Sequence, residues 1–365
     1  MNPPKFYKRM RTFLGLAAAV VGLAAQSAAL AGTLRWSELP PVPDTEGFAS
    51  PFAGVAGGAL LVAGGANFPA KRPWEGGRKT WHDTVYALGA PDGKWVTAGR
   101  LPRPLAYGVS VSFRDKLICA GGGDAREHFR DVFALTWDGR TLGHEPLPSL
   151  PQPCAFMSGV LAGNTLYLLG GTAKPSATAA LDVFWALDLA TPGASWRELP
   201  PCPGPAREQA VMAAIGDTVY VISGDVLSAG PDGKPVLTYR TETFAYTAST
   251  GWKRLADVPH ATEAALSPAP VMPDGRILVV SGDDGTRRHL DGPDHPGFPR
   301  DMLAYDPATD RWENLGEGPA SIANVPSAVW HGRWLAICGE QRPGIRSNKI
   351  WVLDFQPPAE SSKSP

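Results

Sequence analysis

Cysteine is scarce in this chain. The four residues, Cys119, Cys154, Cys202 and Cys338, stand in no CxxC or zinc spacing. Strong charge of either sign is missing as well. The formal net charge of -1 and the absence of a basic patch exclude the electrostatic footprint of a nucleic-acid binder. Beyond the N-terminus no apolar run approaches the roughly 20 residues that a membrane-spanning helix needs. With 41 glycines and 37 prolines, the composition favours strands and turns over helices.

The start of the chain reads as a secretory signal. Lys5, Lys8, Arg9 and Arg11 form a positive n-region, "FLGLAAAVVGLAA" an apolar core, and Ala29–Ala31 a small-residue cleavage site before Gly32. A membrane anchor is the alternative, for which the apolar run is short. Cleavage after Ala31 removes four basic residues and no acid, taking the formal charge from -1 to -5. The expected product is periplasmic or secreted, free of the membrane, with residues 32–357 as one domain and 358–365 as a disordered tail. In an oxidising compartment Cys154 and Cys202 are one possible disulfide pair. Cys119 and Cys338 lie in apolar strand runs and are expected as buried thiols.

What the sequence has in plenty is repetition. Apolar strands ending in a small-residue turn recur as "LLVAGG", "LICAGG", "LYLLGG", "VYVISG", "ILVVSG" and "WLAICG". Their final glycines, Gly65, Gly122, Gly171, Gly224, Gly282 and Gly339, are spaced by 57, 49, 53, 58 and 57 residues. A second strand follows each, such as "DVFALTW" or "KIWVLDF", and then usually a tryptophan strand running into prolines, as in "SWRELPPCPGP". "TWDGRTLGHEPLPSLP" is a poor version of that last strand.

This pattern resembles the kelch repeat, whose unit of about 50 residues is one four-stranded propeller blade. The implied fold is an all-β, six-bladed kelch-type propeller. The sixth unit has no tryptophan strand after Phe355, whereas "LRWSELPPVP" stands spare at the other end. Trp36 is therefore expected to lie in the outer strand of the last blade, closing the ring. An all-β sandwich is the alternative.

In such a ring the turns between the second and third strands open on the same face as the connections between blades. Function usually lies on such loops. Trp74, Tyr107, Arg207, Glu208, Asp225, Arg287, Arg288, Glu340, Arg342 and Arg346 fall there. An arginine-bearing polar funnel suits a small anionic or hydroxylated ligand, because the guanidinium fork binds both oxygens of a carboxylate. His82, His128, His289 and His295 also fall in these loops, but share no spacing that would mark a metal site. The "GDDG" and "GPDG" runs read as turns rather than calcium loops.

"GEQRPGIR", Gly339 to Arg346, resembles the glycine–glutamate turn with Pro-Gly and arginine of the bacterial sialic acid mutarotases (N-acetylneuraminate epimerases). "FAGVAGGALLVAGGANF" and "PLAYGVSVSFRDKLICAGG" resemble consecutive late blades of that family, and "AREQAVMAAIGDTVYVISG" an early one. The order is rotated, so the chain looks like a cyclically permuted member. "TRRHLDGPDHPGF" departs from the family pattern. The resemblance implies an exported, cofactor-independent isomerase without a metal, acting on a small, anionic sugar. It carries the proton acceptor's role to Glu340 and a site role to Arg346. Tyr107, Arg207 and Glu208 become pocket residues by similarity alone.

Mutarotation needs a base at the anomeric hydroxyl and an acid at the ring oxygen. Glu340 is the candidate base, and Arg346 an anchor for a substrate carboxylate or a stabiliser of developing charge. On the chemistry of its own residues, Glu340 reads equally as a solvated turn acid beside Arg342. A non-catalytic propeller binding a glycan or protein through the same funnel is the competing class. A copper oxidase on this fold would need a Tyr–Cys crosslink and a histidine ligand set, an arrangement the sequence does not display.

Overall fold

The computed structural model describes residues 33–290 and 292–356. The proposed signal segment and the C-terminal tail lie outside these residues. The chain divides into a large compact unit, Trp36–Leu353, and a small one made of the terminal residues. The large unit carries the blades. Among the described residues no helix is long and apolar enough to cross a membrane.

The fold is an all-β, six-bladed propeller of small antiparallel sheets. Blade 1 runs from Phe52–Ala56 through Ala59–Ala63 and Thr84–Leu88 to Trp95–Arg100. Blades 2, 3 and 4 repeat this meander, with inner strands Val109–Phe113, Ser158–Ala162 and Val211–Ile215. The weak repeat does form the outer strand of blade 2, Leu142–Leu147, where His144 stacks on Phe133 at 4.6 Å.

Blade 5 is irregular. Its sheet has three strands, Ile277–Val280, Asp301–Asp306 and Arg311–Glu317. Where the inner strand belongs, Pro268 and Pro270 lack the N–H that a ladder requires. Its pairing with Ile277–Val280 is reduced to an isolated bridge between Val271 and Ile277 and single bonds such as Leu278 N–H to the Pro270 carbonyl at 2.8 Å.

Blade 6 is closed by the N-terminal strand. Its order is Thr33–Leu39, Ile350–Gln356, Arg333–Ile337, Ser327–Trp330, which places Trp36 in the expected outer strand. The tryptophan–proline pattern now has a physical reason. The indole N–H groups of Trp196, Trp252 and Trp312 donate to carbonyls of the preceding blade's outer connection, Pro148, Pro200 and Ala256, at 2.7, 2.8 and 3.0 Å. Trp95 of blade 1 makes the same bond to Pro40, just after the closing strand, at 2.9 Å.

Apolar faces of adjacent blades pack together. Phe52, Leu61 and Val85 of blade 1 meet Leu117, Phe133 and Leu135 of blade 2, all buried. Each such side chain contributes about 1.5–3 kcal/mol when fully withdrawn from water.

The turn after each second strand explains the double glycines. Both positions take positive φ, and a Cβ on Gly170 would lie 1.9 Å from the Arg207 carbonyl oxygen. Ser223, Ser281 and Cys338 hold the first position in the other three blades at φ of 58–60°.

Candidate active site

The mouth of the channel is lined by one residue from each blade connection. Ser50, Tyr107, Phe156, Gln209, Ala264 and Asn324 all have positive φ, between 43° and 62°. Each donates its backbone N–H to the carbonyl of the previous member at 2.7–3.1 Å, and Ser50 donates to Asn324 at 2.8 Å. The six bonds form a closed circle, and all six residues line the central cavity. The circle is chemically lopsided. Tyr107 and Phe156 stack at 4.6 Å, with His128 edge-on to Phe156 at 5.8 Å, while Gln209, Asn324 and Ser50 supply polar groups.

Outside each ring residue the connection pairs with the residue after the glycine turn. Three of these bridges are Glu208–Asp225, Glu263–Asp283 and Ala323–Glu340. The sequence therefore delivers five carboxylates to the rim of blades 4, 5 and 6.

In blade 6, Glu340–Arg342 and Ile345–Arg346 form a small hairpin whose register sets Glu340 opposite Arg346. Gly344 turns the tip with φ of 84°. The Arg346 Nη1 group and the Gly344 backbone N–H, at 2.8 Å, both donate to Glu340 Oε1. Asn324 Nδ2 donates to Oε2 at 3.1 Å. Three donors thus hold this buried carboxylate as an acceptor beside the cavity. Arg346 is buried too; its Nε donates to the Ala66 carbonyl at 3.3 Å, and its guanidinium lies 5.1 Å from the centre of the Phe68 ring.

The other expected pocket residues are placed differently from one another. Tyr107 lines the cavity, and its hydroxyl accepts from Lys79 Nζ at 3.1 Å. Arg207 does not line it. Its guanidinium, buried between blades 3 and 4, donates to the Ser223 carbonyl at 3.2 Å and lies over Phe244. Glu208 is buried at the rim, where burial pushes its carboxyl up from 4.5 to about 7.

Several loop arginines are also committed. Arg342 donates to the Pro293 and His295 carbonyls at 3.0 and 3.1 Å, so it is half-buried support for that loop. Arg287 donates to Gly297 at 2.6 Å. The funnel holds fewer free arginines than the sequence suggests, because a fork with five donors also serves irregular backbone.

Phe156, Gln209, Asn324, Glu263 and His295 are site residues that sequence reasoning did not single out for the pocket. Aligning the six units on their glycine turns brings five of the ring residues into one column, 15 positions before the second turn residue, while Ala264 stands 18 before Gly282. His295 lies between Asp283 and Glu340, which raise its proton affinity, but burial lowers it more. Among the described residues no group of three or more His, Cys, Asp or Glu is placed to hold a metal ion. The Cys154–Cys202 pairing is not formed. All four cysteines are separate buried thiols, with Cys154 and Cys202 in different core clusters.

A six-bladed propeller with a carboxylate–guanidinium hairpin at its mouth is the class of protein so defined. Residues 15–143 match the model of the N-acetylneuraminate epimerase family. A relative from Brucella suis (strain ATCC 23445 / NCTC 10510), named N-acetylneuraminate epimerase, is 42% identical over 130 residues, 31% of this chain and 33% of that protein. One of the same name from Salmonella enteritidis PT4 is 43% identical over 105 residues, 26% of this chain and 27% of the relative. The matches thus span about a third or less of the curated relatives' length. A solved structure titled "Structure of YjhT" superposes with a TM-score of 0.64 at 17% identity, covering 88% of this chain and all of that one. At that identity the likeness concerns the fold.

Proposed function

We propose that this protein is a sugar mutarotase that interconverts the anomers of N-acetylneuraminate or a related sugar by acid–base catalysis, without a cofactor. The observation that carries this reading is the arrangement of Glu340. Its carboxylate is fixed as an acceptor by Arg346, Gly344 and Asn324, and it stands directly behind Asn324, which lines the central cavity. The epimerase names of the relatives point to the same chemistry.

In this reading Glu340 takes the proton of the anomeric hydroxyl. Arg346 orients Glu340 through Nη1, while its Nη2, which makes no hydrogen bond within the described residues, faces the substrate's carboxylate or developing charge. Tyr107 and Phe156 carry an apolar face of the sugar, and Gln209 and Asn324 meet its hydroxyls. Glu208 shapes the rim behind them, and Arg207 supports it from between blades 3 and 4. The chain is exported by its N-terminal segment, cleaved after Ala31, and works in the periplasm or outside the cell.

The blade order is a rotated form of the family's. The resemblance of residues 52–68 and of the blade after them to late blades of the family supports this. Aligning the remaining blades to the relatives in rotated order should extend the identity; no gain on rotation contradicts it.

The function is tested by following anomer exchange by NMR in freshly dissolved N-acetylneuraminate and several neutral sugars. Acceleration confined to the acidic sugar is expected. Saturable binding with no acceleration of any sugar would make the protein a binding module instead.

A further inference from the structure

Glu340 supplies mutarotation with a base, and the reaction still requires an acid. Besides Glu340, Glu263 is held by an amide of the mouth. Gln209 Nε2 donates to Glu263 Oε1 at 2.6 Å, as Asn324 Nδ2 donates to Glu340. Gln209, Ala264 and Asn324 are consecutive members of the hydrogen-bonded circle, and Glu263 is the residue before Ala264. Two buried carboxyl groups thus flank neighbouring positions of one cavity wall.

Their surroundings are opposite. Glu340 receives three donors, one of them a guanidinium. Glu263 receives the neutral Gln209 amide at Oε1, its Oε2 is buried without a hydrogen-bond partner, and the nearby Tyr239 hydroxyl donates to Asp283 instead. Asp225, wholly buried, has no donor to either oxygen. Glu208, Asp283 and Tyr239 complete this pocket, with Tyr239 donating to Asp283 Oδ2 at 2.8 Å. Arg288 is the one cation that acts on Asp225, from an exposed position. Buried carboxylates without donors are far costlier than neutral acids.

We propose, resting on the mutarotase reading, that Glu263 is the catalytic acid that complements Glu340, its proton retained because its buried Oε2 and both oxygens of buried Asp225 have no hydrogen-bond donor. In ring opening Glu340 takes the anomeric O–H proton. The bond between the anomeric carbon and the ring oxygen breaks, its electron pair stays on the ring oxygen, and that oxygen takes the proton of Glu263. The open-chain carbonyl compound turns its other face, and reclosure returns both protons. The sugar reaches Glu263 by taking the place of the Gln209 amide at Oε1; with that donor gone, the carboxyl proton sits on Oε1, facing the ring oxygen. Burial favours the protonated form most, and Asp225, Asp283 and Glu208 add to it against an opposing contribution from the Tyr239 hydroxyl.

The test is Glu263→Gln, isosteric with the protonated acid. Anomer exchange should fall on the order of 10²-fold or more in kcat with KM little changed. The infrared carbonyl band of a protonated buried carboxyl, sensitive to D2O, should disappear from the difference spectrum. Asp225→Asn should move the alkaline limb of the pH profile to lower pH, because the like charge that retains the proton is gone. Wild-type kcat in Glu263→Gln overturns the proposal, as does an unmoved limb in Asp225→Asn. A wild type inactive on every sugar overturns the mutarotase reading as well, whereas an inactive Glu263→Gln enzyme with the band unchanged overturns only the assignment of the proton.

Discussion

Glu208 gives a prediction about stability that does not depend on catalysis. Its carboxyl is buried, makes no side-chain hydrogen bond among the described residues, and is raised from 4.5 to about 7 by burial alone. Below about pH 4.5 both folded and unfolded chains hold this proton, and the group has no net effect. Between about 4.5 and 7 the unfolded chain releases the proton and the folded chain retains it. Stability therefore falls as pH rises through that window, and above about 7 the loss is complete. At 1.36 kcal/mol per pH unit the group costs about 3 kcal/mol at pH 8 relative to pH 4.5. Glu208→Gln removes the titration. Any constant cost of the new amide is present at both pH values and cancels in the difference. Urea denaturation of both proteins should show the variant gaining about 3 kcal/mol on wild type between pH 4.5 and 8. An equal difference between the two proteins at both pH values would refute the reasoning.

Two further predictions concern the ring and its thiols. Trp95→Phe deletes the indole bond to Pro40 that joins blade 1 to the closing strand, and should cost about 0.5–1.5 kcal/mol, as should Trp252→Phe at its bond to Pro200; chemical denaturation reads both, and a silent Trp95→Phe would mean that the closing contact is idle. The four cysteines should resist a thiol reagent in the native state, and reductant should leave the thermal melt unchanged, since burial pushes Cys202 and Cys338 up to about 12. A melt lowered by reductant would reveal a disulfide.

Much of the fold was legible because one physical demand recurs six times. A blade edge must turn tightly against its neighbour, so small residues repeat at Gly65, Gly122 and their equivalents. Trp36 could be assigned to the last blade because a spare outer strand at one end and a blade lacking one at the other have only one economical use. The missing inner strand of blade 5 was hidden, since Pro268 and Pro270 matter only once the ladder position is known.

The site was less legible. Its ring is a conformational repeat, not a chemical one. Ser50, Tyr107, Phe156, Gln209, Ala264 and Asn324 share a backbone conformation and no side-chain type. Arg207 and Glu208 look alike as polar loop residues, yet one goes between blades and the other to the rim. Asp225 and Glu263 gain their character from missing partners, which no local sequence displays. The Glu340–Arg346 neighbourhood was readable because the two residues flank one short turn.

The central claim rests on Glu340, and Glu340→Gln tests it most directly. Gln keeps the shape of the side chain while removing the carboxylate that accepts a proton. In freshly dissolved N-acetylneuraminate, wild-type protein should accelerate anomer exchange, and Glu340→Gln should lose on the order of 10²–10⁴-fold of that acceleration while retaining the wild-type fold by circular dichroism. A folded Glu340→Gln protein that exchanges anomers at the wild-type rate would contradict the assignment of the base.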